Sequence, residues 1–403
     1  MRYSGLMWNA LTGEKINLKI LYFMYCASLA AWQPLLTVYF KEVGITGLRI
    51  GIIMSIFPVM VFLVAPFWGV TADRWGHRRT LILVMFLSSF AIIGYIFNWG
   101  FWFFFFWTIL VAFSTNPIGM LIDSLILDYV KEKQKSSYGR FRLWGAIGWM
   151  LAAPLVASFV TGKKITLIFP IAMAVMFLGW LAAFLGRGNK AKPSLEKASW
   201  ANLTEVLRSF RFIIFLVVVF FYGVCSYPLW SFFGVYLKDI GASLQTIGIA
   251  NGLDSLIELP FYFYANFFVK RFGAGRVLTL SVAMFTVRMF LYSIISTPIL
   301  AVSVELTHGL SYSLFTVATV EYVNELVPPA WRATGLSVYG AVCFGAGAVV
   351  GNIFAGYLYD LMPLRQVFRF CGWILLAATI FALWALRNRQ PVAGPSQKIP
   401  TSS

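Results

Sequence analysis

Asp123, Arg142, Asp254, Glu258, Arg288, Glu305 and His308 all stand inside long apolar stretches of this 403-residue chain. Charge in such surroundings is costly, so each of these residues is a candidate for handling something polar or charged. They fall into two sets. In the first, Asp123 lies in Asn116-Pro117-Ile118-Gly119-Met120-Leu121-Ile122-Asp123-Ser124, and Arg142 precedes Trp149 by seven residues. That spacing puts Arg142 and Trp149 on one helix face. A guanidinium binds hydroxyl or carboxylate oxygens as a fork, and an indole face receives the C–H face of a sugar or the ring of a base. Gln33 and Asn116 join this set as further polar contacts for a solute. The second set begins with Asp254 and Glu258, four apart and on one face. Arg288 follows within the apolar run Phe285-Thr286-Val287-Arg288-Met289-Phe290, and then Glu305, His308 and Ser311 share a stripe. Burial makes a carboxylate harder to ionise and a nearby arginine makes it easier, so moving Arg288 relative to Glu258 would load and release a proton. The competing accounts are an interfacial arginine with an anchoring tryptophan, a structural ion pair, and a packed histidine.

The elements that must position these groups are spelled out by composition. The chain is 60% hydrophobic, 18% aromatic and 12% charged, against about 25% charged in a soluble domain. A spanning helix needs roughly 20 apolar residues. Twelve stretches qualify, near 18–40, 48–72, 80–98, 101–127, 141–162, 166–186, 211–237, 244–269, 277–296, 298–323, 333–359 and 367–386. The expected fold is therefore an all-α membrane protein. Of its Lys and Arg residues, roughly 23 fall on the side holding both termini, about 7 on the other and two inside helices, which predicts cytoplasmic termini in a cell membrane. The net charge of +17 follows from that topology and calls for no nucleic acid. The first stretch reads as a retained helix rather than a signal peptide. Cys26, Cys225, Cys343 and Cys371 all fall within helices, with neither a disulfide framework nor a metal-ligand spacing. No cofactor signature and no nucleophile paired with a base is legible, which argues against an enzyme.

The chain also repeats itself. Asp73-Arg74-Trp75-Gly76-His77-Arg78-Arg79 after the second stretch is answered by Lys270-Arg271-Phe272-Gly273-Ala274-Gly275-Arg276 after the eighth. The expected organisation is an N-terminal six-helix half over 1–187, a polar linker over 188–209, a C-terminal six-helix half over 210–388 and a disordered tail over 389–403. Repeated halves place a solute site between them. The segment Gly69 to Arg79 resembles the loop signature of the major facilitator superfamily, with Thr71 and His77 as departures. The resemblance implies a major facilitator fold, and a cytoplasmic gate motif at Gly69, Asp73, Arg74, Gly76 and Arg78 whose arginines hold the halves together.

Within that superfamily, Gly139-Arg140-Phe141-Arg142 with Gly145, Gly148 and Trp149 is similar to the branch of lactose, phenylpropionate and nucleoside permeases. The resemblance implies that Asp123, Arg142 and Trp149 bind solute, and that Arg288 and His308 belong to a coupling network with Glu258, Asp254 and Glu305. Two positions depart from the branch. Ser311 stands where a coupling glutamate is expected, and Glu305 where a lysine is expected. The reading is a monomeric, proton-coupled symporter of a small ring-containing solute, such as a sugar or nucleoside, working by alternating access. The alternatives are an importer of an aromatic carboxylate, a multidrug efflux carrier, and a receptor or enzyme on a transporter scaffold.

Overall fold

A computed structural model describes residues 16–133, 138–186 and 210–385. The linker 188–209 and the tail 389–403 lie outside them. Among the described residues, twelve helical passes follow one another. They are α1 (Ile16–Glu42), α2 (Gly47–Trp75), α3 (His77–Ile93), α4 (Phe101–Lys133), α5 (Tyr138–Val160), α6 (Ile168–Leu185), α7 (Phe210–Asp239), α8 (Leu244–Phe272) and α9 (Ala274–Ile294), then α10, α11 and α12 (Leu364–Ala385). α10 is irregular, running through Pro298–Val304, a 3-10 turn Glu305–Thr307, a π segment Gly309–Ser313 and Leu314–Leu326. α11, Arg332–Leu361 overall, carries a π segment at Ala341–Gly347.

Ten of these passes are long and apolar enough to cross a membrane. The two that fall short are α8 and α10, the helices that carry Asp254 and Glu258, and Glu305 and His308. Their polarity has been accepted at the expense of hydropathy, as expected where charged groups face a bundle interior rather than lipid. The chain is a multi-pass helical membrane protein.

The repeat seen in the sequence is also a repeat in space. Gly76 and Gly273, 197 residues apart, both turn the chain at positive φ (92° and 85°), where a side chain is strained. At the same offset, the Tyr39 hydroxyl donates to the Tyr95 carbonyl at 2.7 Å and the Tyr236 hydroxyl to the Tyr292 carbonyl at 3.1 Å. Each hydroxyl ties the first helix of its half to the third. The polar set does not share this symmetry. Counting back by 197, Asp254, Glu258, Arg288, Glu305 and His308 correspond to Phe57, Val61, Ala91, Thr108 and Val111. At these five positions the first half carries uncharged side chains and the second half ionisable ones.

The halves meet through α2 against α11 and α5 against α8. Gly248 lies against Ala153 and Ala157, and Gly51 against the backbone of Asn352, so closely that a Cβ at either would collide. Both contacts lie toward the end bearing the turns at Gly44 and Gly241. At that end the Asp360 carboxylate accepts from the Gly47 and Leu48 amides at 2.6 and 2.8 Å, and Lys41 pairs with Asp239. Toward the opposite end, Arg142, Leu143, Tyr262 and Phe263 are exposed. Among the described residues the halves thus close on each other at one end and part toward the end carrying the Asp73–Arg79 turn.

Candidate functional site

The core of the candidate site is a cluster that joins α8, α9 and α10. Arg288 is only 2% exposed. Its guanidinium pairs with Glu305, meets His308 Nδ1 at 2.8 Å, donates to the Tyr292 hydroxyl at 3.3 Å and reaches Ser311 Oγ at 3.5 Å. The Tyr292 hydroxyl also donates to Glu305. Asp254 stands 3.8 Å from the same guanidinium. On the far side of the imidazole, His308 Nε2 lies 2.9 Å from Glu258 Oε1.

These contacts fix the tautomer of His308. A guanidinium only donates, so Nδ1 must accept from Arg288, which leaves the ring proton on Nε2, donated to Glu258. Three carboxylates, Asp254, Glu258 and Glu305, thus gather around one permanent cation, Arg288, and the His308 imidazole. Glu305 is fully buried and committed to Arg288 and Tyr292, whereas the side chains of Asp254 and Glu258 are 22% and 24% exposed. The two carboxylates not committed to that buried pair are thus the ones with exposed side-chain surface. The irregular stretch of α10 explains how His308 meets both partners. It is flanked by the 3-10 turn and the π segment, and Glu305, His308 and Ser311 all face the Arg288 guanidinium. Asp254, Glu305 and His308 also present ligand atoms within 4.8 Å of one another, the spacing of a metal cluster. The Arg288 guanidinium, paired with Glu305 and bonded to His308, occupies the cationic position among them.

The first set assembles on the other half. Arg142 on α5 is exposed toward the open end and lies within electrostatic reach of Tyr22, Tyr138, Tyr262 and Asp123. Asp123 interacts with the Tyr138 hydroxyl, while its buried Oδ1 has no hydrogen-bond partner among the described residues. Trp149 is half-buried on the same helix, two turns beyond Arg142. α5 approaches α1 closely at Gly145 and Gly148, which face Tyr22 and Phe23. Gln33 is half-buried on α1. Asn116 donates to the Phe57 carbonyl at 3.2 Å, which pins α4 to α2 and occupies one of its amide hydrogens.

Sequence reasoning missed the groups that join the two sets. Tyr262, one turn beyond Glu258 on α8, lies within electrostatic reach of Glu258 on its own helix and of Arg142 on the other half. Tyr312 packs beside His308 at a ring separation of 5.3 Å, and Trp230 meets Tyr312 edge-on at 5.0 Å. The i, i+4, i+8 spacing of Asp254, Glu258 and Tyr262 was a usable signal for the first of these. Nothing in the sequence pointed to Tyr292 or Trp230.

Among the described residues, Arg78 and His77 at the gate motif contact their own half. Arg78 donates to the carbonyls of Ala183, Phe184 and Gly186 at the end of α6, within its own half. His77 lies 3.8 Å from Asp128 on α4, again in the same half. With the molecule open at this end, Arg78 secures α3 to α6 rather than one half to the other. Asp73 and Arg74 are exposed at the same turn, and Gly69 and Gly76 adjoin them with open space where a side chain would begin.

Residues 15–370 match the sequence profile of the MFS_1 like family. The chain is similar to the uncharacterized transporter YwbF of Bacillus subtilis (strain 168), with 27% identity covering 90% of this chain and 92% of the relative. It is also similar to the maltose permease of Geobacillus stearothermophilus, with 27% identity covering 96% and 98%. Among solved structures, the nucleoside transporter NupG superimposes with a TM-score of 0.84 at 17% identity, covering 93% of this chain and 99% of that one. That last likeness concerns the fold.

Proposed function

The chain belongs to the MFS_1 like family of major facilitator transporters, and from that premise we propose that it is a proton-coupled symporter of a small polar, ring-containing solute of the sugar or nucleoside class. It works as a monomer by alternating access in the cell membrane, with both termini and the Asp73–Arg79 turn on the cytoplasmic side. The observation that carries this reading is the gathering of Asp254, Glu258 and Glu305 around Arg288 and His308, with Tyr262 within electrostatic reach of both Glu258 and Arg142. The cluster has carboxylate capacity for protons, and Tyr262 lies where a solute held by Arg142 would touch Glu258's neighbourhood.

In this scheme Asp123, Arg142 and Trp149 bind the solute from the N-terminal half, with Gln33 and the free amide hydrogen of Asn116 as further contacts. Glu258 or Asp254 carries the proton, His308 relays its presence to Arg288, and Glu305 with Tyr292 anchors that arginine. Gly69, Asp73, Arg74, Gly76 and Arg78 form the cytoplasmic gate when the halves close at that end. A solute shifts the equilibrium between states only if it binds them unequally. Contacts to Arg142 on one half and the aromatic wall of Trp230, Tyr262 and Tyr312 on the other satisfy that condition. A second reading is supported by the exposed Arg142 guanidinium within electrostatic reach of Tyr22, Tyr138 and Tyr262, namely import of an aromatic carboxylate.

The test is flux into liposomes of purified protein under an imposed pH gradient, with disaccharides, nucleosides and phenyl-substituted acids as candidate solutes. Acid outside should accelerate uptake of one class. Flux indifferent to the gradient would overturn the coupling, and a modified product without flux would overturn the carrier reading altogether. If Arg142→Ala left both binding and uptake intact, the solute site would lie elsewhere.

A further inference from the structure

The first turns of α12 carry a charge that the transport scheme does not use. Arg365 donates to the Ile294 carbonyl at 3.1 Å and so fastens α12 to the end of α9. One turn further along, Arg369 lines an open groove of about 360 Å³ between α9 and α12 on the outer surface of the bundle. The other lining is apolar, mainly Val287, Phe290, Leu291, Ile294 and Trp373. Arg369 is exposed, and among the described residues no hydrogen bond, ion pair or ring contact engages its guanidinium. Trp373, four residues on, is 58% exposed and meets Phe290 edge-on at 5.2 Å, forming the floor of the groove.

An arginine this close to a helix end sits near the level of lipid phosphates. Five residues from the start of α12 correspond to roughly 7.5 Å along the axis, about the depth of the headgroup region beyond the hydrocarbon core. Beside it lies an apolar slot long enough for part of an acyl chain, with a tryptophan of the kind enriched at the interface. A guanidinium presents a fork that matches two phosphate oxygens. We infer that the groove between α9 and α12 is a binding site for an anionic phospholipid, whose phosphodiester is held by Arg369 and whose acyl chain lies against Phe290 and Trp373. One uncompensated positive charge faces one phosphodiester negative charge, so the complement is a singly anionic lipid such as phosphatidylglycerol. The site faces away from the solute path and is independent of what is carried.

The test is native mass spectrometry of the full-length protein released from detergent containing equal amounts of phosphatidylglycerol and phosphatidylcholine. Wild-type protein is expected to retain one phosphatidylglycerol in preference. Arg369→Gln should lower that preference about five-fold, the effect of one interfacial basic residue. Arg369→Lys should keep part of it, and Lys164→Gln, a basic residue in the α5–α6 turn, should change nothing. Inorganic phosphate alone should not compete for the adduct. Equal retention by Arg369→Gln and wild type, equal loss in Lys164→Gln, or displacement by inorganic phosphate would each overturn the inference.

Discussion

Asp360 offers a direct handle on the two-state cycle. α2 begins after Thr46, a residue type suited to capping a helix, yet the Thr46 side chain makes no cap bond. The Asp360 carboxylate at the end of α11 does so instead, accepting from the Gly47 and Leu48 amides at 2.6 and 2.8 Å from the other half of the molecule. Losing a cap costs about 1 kcal/mol, and the carboxylate at a positive helix end adds a few tenths more where it is exposed. Donor and acceptor belong to different halves, so this energy counts only while the halves are closed at this end. Asp360→Ala should therefore raise the ratio of open to closed forms by the Boltzmann factor of ~1–1.5 kcal/mol, roughly 5-fold to 12-fold.

The assay is a distance distribution between spin labels at Lys164→Cys and Lys238→Cys, which flank the closed end on opposite halves, in a Cys26→Ser background. The long-distance population should grow by the stated factor. A ratio unchanged within about two-fold, a change of less than ~0.5 kcal/mol, would show that the cap energy is shared by both states and would refute the reasoning.

Other consequences follow from the same contacts. Lys41→Ala removes the Lys41–Asp239 pair, whose side chains are 39% and 30% exposed, so its shift in the same distance assay should stay below about 1 kcal/mol. Glu305→Gln leaves Arg288 buried without its closest counter-charge, and a lowered Tm reflecting a loss of ~3 kcal/mol is expected from thermal denaturation in detergent, moderated by Asp254 at 3.8 Å. Glu258→Gln alters a partly exposed partner of His308. It should spare the Tm while abolishing uptake driven by a pH gradient, with solute exchange at equal pH preserved. A Tm loss for Glu258→Gln as large as that of Glu305→Gln would contradict the division between anchoring and exchangeable carboxylates.

Much of this was legible from residues alone, because the bilayer restricts a spanning backbone to few solutions. The boundaries of α1 and α7 differ from the apolar runs by a few residues at most, and the Gly76 and Gly273 turns follow from one recurring pattern. The ionisable residues were equally legible, since each interrupts an apolar stretch. The pattern did not reveal which contacts Arg78 of the gate motif makes in this form of the molecule. Arg78 finds the ends of α6 because the molecule is open at that face, and a motif carries no information about which state is populated.

What the sequence by itself determined is the membrane class, the repeat and the inventory of charges, all properties of local composition and spacing. Only the tertiary structure decided how the charges pair. Arg288 could have reached Asp254, Glu258 or Glu305 by sequence, and it is packing through Tyr292 and the irregular turn of α10 that assigns it to Glu305 and gives Glu258 to His308. The reason is geometric. A hydrogen bond is decided within a few tenths of an ångström and by direction, and that precision depends on helix rotation and contacts across helices distant in the chain, which no local pattern encodes.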